Sequence, residues 1–154
     1  MTGSRNLWGK VDAVAHSEKG GRGMDRHRAH VTSSNFIATL LEDEGGTPIV
    51  SAFGEIDASS ADDLDILTLK AISKVASGGS VIVDLGGVEF MDCAGLRVLI
   101  NAQLVLDNSG GSLAMVCGPY VRRLFEASGM TENFELYEDL ISAAETRPRL
   151  HSVS

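Results

Sequence analysis

At 154 residues and 44% hydrophobic content, the chain is long enough to bury the core of one small domain, and its two cysteines cannot supply a disulfide scaffold. No apolar run approaches the roughly 18 residues that span a bilayer, and polar residues occupy the N-terminus where a signal peptide needs its apolar core, so a soluble, cytoplasmic protein without membrane insertion is expected. The net charge of −8 is unevenly spread: residues 1 to 34 carry six Lys and Arg against three Asp and Glu, and residues 35 to 154 carry seven against eighteen, a balance that repels phosphates, argues against nucleic acid and favours a basic protein partner.

Residues 1 to 34 read as an N-terminal extension. Gly20-Gly21-Arg22-Gly23 and Arg26-His27-Arg28 have no apolar period, so little burial is available to offset the entropy of ordering them, and disorder is the expectation. Leu7, Trp8, Val11 and Val14 fall at the spacing of one short helical stripe, the one feature there that could dock on the domain or on a partner. His16, His27 and His30 match no metal-site spacing, and the cysteines form no metal-binding pair, so neither a metal nor another cofactor is predicted.

A single domain is predicted over residues 35–146. Residues 36–41 and 48–53 flank Glu42-Asp43-Glu44-Gly45-Gly46 as an antiparallel hairpin. Asp57 or Ser59 can cap a helix in which Leu64, Leu67, Ala71, Ile72 and Val75 share one face; Ser59 with Asp62 and Ser60 with Asp63 are capping-box-like pairs, and Gly78 and Gly79 end the helix. Residues 81–85, short and β-branched between glycines, read as a strand buried on both faces. Beyond them a loop and an acidic cap at Asp92 lead into a helix marked by Leu96, Leu99, Ile100, Gln103 and Leu104, with Asn108, Gly110 and Gly111 as its stop.

A strand over 113–117, a helix opened by Pro119 and closed by Gly129, a short strand near 134–137 and a helix from about Leu140 follow. Residues 147–154 are a polar tail. This order predicts an α/β fold, a leading hairpin and then alternating helices and strands in a mixed sheet with helices packed on it. In such a sheet the functional crevice lies at the carboxyl ends of the parallel strands, so the regions of Asp57, Cys93 and Cys117 should gather at one edge.

The corner at Asp92-Cys93 carries the most distinctive chemistry. The first amides of a helix lack partners and its dipole is positive there, which favours anions and thiolates; Asp92 opposes that effect on the Cys93 thiol. Enzyme signatures are missing. There is no Gly-x-Gly-x-x-Gly after a strand and no phosphate-binding Gly-Lys-Ser/Thr loop, and beyond residue 34 the one histidine is His151 in the tail, so no Cys-His pair is indicated. Capping accounts for Asp57 and Asp92 without acid-base chemistry. No catalytic residue is predicted.

Asp92-Cys93-Ala94-Gly95-Leu96 after its strand resembles the Asp-Ser-Ser/Thr-Gly-Leu signature of the STAS domain, specifically of bacterial anti-sigma factor antagonists, in which the first hydroxyl residue accepts phosphate from the partner kinase. Gly54-Glu55-Ile56-Asp57 resembles the Gly-Glu-Leu-Asp that closes an early strand in that family, and residues 121–130 resemble its third helix. The resemblance covers roughly residues 47 to 145. It implies the STAS fold and a non-enzymatic regulator that binds an anti-sigma factor of the histidine-kinase-like, ATP-binding type and so frees a sigma factor for transcription, with a homodimer as an allowed assembly. The partner surface it implies comprises Asp57, Ser59, Met91, Asp92, Cys93, Ala94, Gly95, Leu96 and Arg97, with Met91 and Leu96 as its apolar elements.

The departure from the family lies at the acceptor, where Cys93 stands in place of the serine and Ala94 removes the neighbouring hydroxyl. Ser59 and Ser60 remain as nearby alternative acceptors. Two readings of Cys93 stay open. It fills the serine's space and yields an antagonist that phosphate cannot switch off, or it is a redox switch, through a disulfide with Cys117, intermolecular pairing or sulfenylation. Two other functional readings accompany these: a STAS scaffold or adaptor of a stressosome or lipid-transport ATPase complex, and a stand-alone thiol-dependent sensor or enzyme. A STAS module of an anion transporter is disfavoured by the lack of membrane-spanning runs.

Overall fold

Buried side chains alternating with half-buried or exposed ones over residues 36–41 build the leading hairpin of the protein, as seen in a computed structural model that describes residues 29–33 and 35–146. The elements are β1 (Ala29–Ser33), β2 (Phe36–Glu42), β3 (Pro48–Ile56), α1 (Ala58–Ser73), β4 (Ser80–Met91), α2 (Cys93–Asn108), β5 (Ser112–Cys117), α3 (Pro119–Ala127), a 3-10 turn (Thr131–Asn133), β6 (Glu135–Tyr137) and α4 (Leu140–Thr146). The six strands lie in chain order in one sheet. β1, β2 and β3 are antiparallel neighbours, and β3 through β6 run parallel, the mixed sheet expected from the alternation of elements.

Helices α1, α2 and α3 cover one face. Leu64 and Leu67 of α1, Leu99 and Leu106 of α2 and Phe125 of α3 meet the inward residues of the strands in one continuous core, and each fully buried side chain of this size contributes about 1.5–3 kcal/mol through removal of apolar surface from water. The second face is covered only in part. There Ala143 and Leu140 of α4 pack on Ile49, Ile82, Ala114 and Val116, while Ile37, Leu41 and Phe53 on the β2–β3 side remain exposed. No helix among the described residues is long and apolar enough to cross a membrane.

Three sequence expectations need correction. Residues 29–33 lie inside the sheet as β1, upstream of the domain start expected at residue 35; Ala29 and Val31 are buried, but a five-residue strand that owes its place to pairing with β2 leaves almost no periodic signal. Residues 1–28, 34 and 147–154 fall outside the described residues, and with them the expected extension and tail. The strand expected over 81–85 continues to Met91, so no loop separates it from α2. The continuation is held by pairing with β3, where Gly54 faces Val88 and Ile56 faces Met91.

The first helix stops at Ser73 with Lys74 as its cap, ahead of the glycines at 78 and 79. Gly54, with φ of +98°, sits where a Cβ would collide with the carbonyl of Asn35. That same carbonyl accepts the Glu55 N–H at 2.8 Å, which ties the turn before β2 to the end of β3. Only glycine fits both demands.

Candidate functional site

The parallel strands β3 and β4 end in register at Ile56 and Met91, and the backbone N–H of Asp92 donates to the Ile56 carbonyl at 3.1 Å. The next residue of each chain segment is an extended aspartate that caps a helix. Two helix N-termini therefore open beside one another at the carboxyl edge of the sheet.

At the first, Asp57 Oδ1 accepts the Ser59 N–H at 2.9 Å and the Ser59 hydroxyl at 2.7 Å. Ser60 Oγ accepts the Asp57 N–H at 3.0 Å and donates to the Glu55 carbonyl at 2.9 Å. The capping box thus pairs Asp57 with Ser60, displacing the Ser59–Asp62 and Ser60–Asp63 pairs expected from spacing, because the strand delivers Asp57 directly to the Ncap position. The hydrogen bonds from Ser59, followed by those from Ser60, hold the Asp57 carboxyl below the usual carboxylate range. Ser60 is buried and Ser59 exposed.

At the second, Asp92 Oδ1 accepts the Ala94 N–H at 2.9 Å. Cys93 and Arg97 are exposed, Asp92, Ala94 and Leu96 half-buried, and Gly95 buried. A Cβ on Gly95 would lie 2.5 Å from Met91 Cγ and 2.8 Å from Ile56 Cγ2, so the first turn of α2 rests directly on the ends of both strands. Met91 is 2% exposed. It supports the corner from beneath and offers no surface to a partner, which corrects its expected role as an apolar contact; Gly95 is likewise a packing position. The accessible set is Asp57, Ser59, Asp92, Cys93, Ala94, Leu96 and Arg97.

Sequence reasoning missed Tyr120. Its hydroxyl, carried by α3, lies 3.4 Å from both the backbone nitrogen and the carbonyl oxygen of Met91, so a third element braces the end of β4. The available signal was its place just after Pro119 at the start of a helix that follows a parallel strand.

Cys117 does not join this corner. It pairs with Leu85, and the six steps of β4 from Leu85 to Met91, even shortened by the register shifts against β3, advance more than roughly 10 Å, beyond the roughly 7 Å Cα separation that a disulfide tolerates. Of the options left open for Cys93, the disulfide with Cys117 is therefore removed: both thiols are free, one exposed and one buried. Burial pushes the Cys117 thiol up to about 11, with Arg122 opposing and Asp84 adding to the shift. The corner offers an exposed thiol and two capped helix starts. Its exposed side chains are open to contact, and the thiol at position 93 can be alkylated or oxidised but cannot form the phosphate ester of a hydroxyl residue.

Residues 39–143 match the STAS domain. An anti-sigma F factor antagonist of Paenibacillus polymyxa is 29% identical over 105 residues, 67% of this chain and 88% of that protein. The anti-sigma-F factor antagonist RsfB of Mycobacterium tuberculosis is 26% identical over 115 residues, 73% of this chain and 91% of that one. The crystal structure of an anti-sigma factor antagonist from Mycobacterium paratuberculosis superposes with a TM-score of 0.63 at 26% identity, over 74% of this chain and 97% of its own.

Proposed function

The chain belongs to the STAS domain family, and we propose that within it the protein acts as an anti-sigma factor antagonist, binding an anti-sigma factor of the histidine-kinase-like, ATP-binding type and so releasing a sigma factor for transcription. Relatives named as such antagonists cover two-thirds or more of the chain. The observation that carries the reading is the paired helix start at Asp57 and Asp92, which leaves Cys93 and Arg97 exposed. The partner rests on this corner, with Leu96 and Ala94 as apolar contacts and Asp57, Ser59 and Arg97 as polar ones.

In a family member with serine at this position, a phosphate of about −1.5 to −2 charge would sit at the helix start and eject the partner by repulsion and bulk. Cys93 carries no hydroxyl, so the antagonist stays competent in the presence of its kinase-like partner and ATP. Any response to oxidant runs through Cys93 alone, as sulfenylation or pairing with another molecule, since Cys117 is buried far from it. The test is titration calorimetry against the cognate anti-sigma factor with ATP: wild type binds, and Cys93→Asp and Leu96→Asp lose affinity. If both variants fold and bind like wild type, the corner is not the interface.

A further inference from the structure

We propose that the N-terminal segment of residues 5–14 docks on the open face of the sheet, around Phe53. This inference stands apart from the anti-sigma reading and concerns the sheet face that α1, α2 and α3 do not cover. Ile37, Phe53 and Phe90 are 46%, 48% and 42% exposed, and they follow one another across the sheet; Leu41, 41% exposed, lies four residues further along β2, opposite Ile49. Ile37 faces Phe53 across β2–β3, Phe53 faces Gly87 across β3–β4, and Phe90 faces Glu55 one step further along. Three large apolar side chains in succession across one sheet face, with Leu41 exposed on the same face, exceed the scattered exposure of an ordinary surface and mark a surface that another group covers.

Charge identifies the occupant. Strands β2, β3 and β4 contain no Lys, Arg or His, and they carry Glu55 and Asp84 in phase with the exposed face. The Lys and Arg of the described residues, Lys70, Lys74, Arg97, Arg122 and Arg123, all lie on or at the end of α1, α2 and α3, across the sheet. The face is apolar and acidic, so a second copy would bring carboxylates onto carboxylates. Residues 1–28 hold all six Lys and Arg of the N-terminal region against three Asp and Glu, the complementary sign.

Within them, Leu7, Trp8, Val11 and Val14 stand at i, i+1, i+4 and i+7, the sequence spacing of one apolar stripe, with Arg5 and Lys10 close by in sequence. The tether reaches. β1 enters the sheet with Ala29 against Leu40, and residues 15–28 supply up to about 50 Å of chain, whereas strands about 4.8 Å apart put β4 only some 15 Å from β1. A segment tied this closely meets the face at an effective concentration on the order of millimolar.

Trp8 is the chain's single tryptophan, so its fluorescence in the full chain reads the proposal directly. The expected result is emission blue-shifted from that of the urea-unfolded chain and shielded from iodide, with both effects lost in Phe53→Glu and in the Arg5→Glu/Lys10→Glu pair. The second variant alters only residues outside the described fold, which keeps the test decisive should Phe53→Glu misfold. Emission equal to that of the unfolded chain, or a blue shift unmoved by the variants, overturns the proposal. A blue shift that appears only as a dimer forms in sedimentation equilibrium overturns it in favour of docking on a second copy.

Discussion

Asp92 donates its backbone N–H to the carbonyl of Ile56, and through this bond two parallel strands turn into their helices side by side. The cap of α1 follows Ile56 directly and Asp92 itself caps α2, so one contact fixes the spacing of both helix starts. The side chain of Asp92 adds a second, separable role at the Ala94 N–H. Asp92→Ala leaves the backbone bond and removes that acceptor, and its expected cost is about 0.5–2 kcal/mol, while Asp92→Asn retains an oxygen and costs less. Urea unfolding of the two variants, with unchanged slope, checks the order.

Asp57 predicts a pH dependence. Its folded carboxyl is held below the ordinary value by Ser59 first and then Ser60, so the native state prefers the ionised form. Its contribution is fully present above the unfolded-chain value of about 3.9 and is lost as pH falls through the lower folded value. Asp57→Asn is therefore expected to flatten part of the loss of stability in acid while lowering stability at neutral pH. Thermal melts of both proteins from neutral to strongly acid solution measure it, and parallel curves would show that the cap does not titrate with folding.

Gly95→Ala pits helix propensity against packing. Alanine in a helix interior gains about 1 kcal/mol over glycine, but here its Cβ enters the space of Met91 and Ile56, and overpacking of this kind costs about 1–3 kcal/mol. Met91 Cγ is a side-chain atom that can yield in part, so after the propensity gain is subtracted a net loss of about 1 kcal/mol is expected in denaturant unfolding.

Much of the fold was legible because its signals are local. The hairpin announces itself by period two, and the caps at Asp57 and Asp92 and the stripes of α1 and α2 by spacing within a few residues. What escaped was set by partners distant in sequence. β4 runs to Met91 through Gly86, Gly87 and Glu89, an interrupted pattern that only the neighbouring β3 makes into a strand. The burial of Met91 and Gly95 depends on α2 lying across Ile56, and Tyr120 reaches Met91 from 29 residues away. The separation of Cys93 from Cys117 depends on where β5 ends against β4, a register that composition does not encode.

The two thiols should react very differently. Cys117 is buried, with its pKa pushed up to about 11, so only about one in 10⁴ is thiolate at pH 7 and the nucleophile is both scarce and enclosed. Cys93 is exposed. Brief treatment of the native protein with iodoacetamide should label Cys93 and spare Cys117, and denaturant should expose both to the reagent. Peptide mass spectrometry after mild peroxide should find no intramolecular Cys93–Cys117 bridge; finding one would require β4 and β5 to slide out of the observed register.

Placing a hydroxyl at position 93 is the sharpest test of the control proposed above. If the partner is the proposed kinase-like anti-sigma factor, incubation with it and ATP should leave position 93 of wild type without phosphate, because a serine kinase transfers to an oxygen and Cys93-Ala94 offers none. Cys93→Ser places a hydroxyl on the exposed first turn of α2, and it should accept phosphate and then release the partner as charge accumulates at the shared corner. Ser60 is poorly placed to substitute in wild type, since its hydroxyl is buried and committed to the Glu55 carbonyl; Ser59 is exposed but donates to Asp57. Intact mass and phosphopeptide mapping of wild type, Cys93→Ser and Ser59→Ala, read beside affinity in calorimetry, separate the cases. Phosphate on wild type that disappears in Ser59→Ala would move the switch to the start of α1, whereas a Cys93→Ser protein that stays unmodified would show that this corner never presents residue 93 to a kinase.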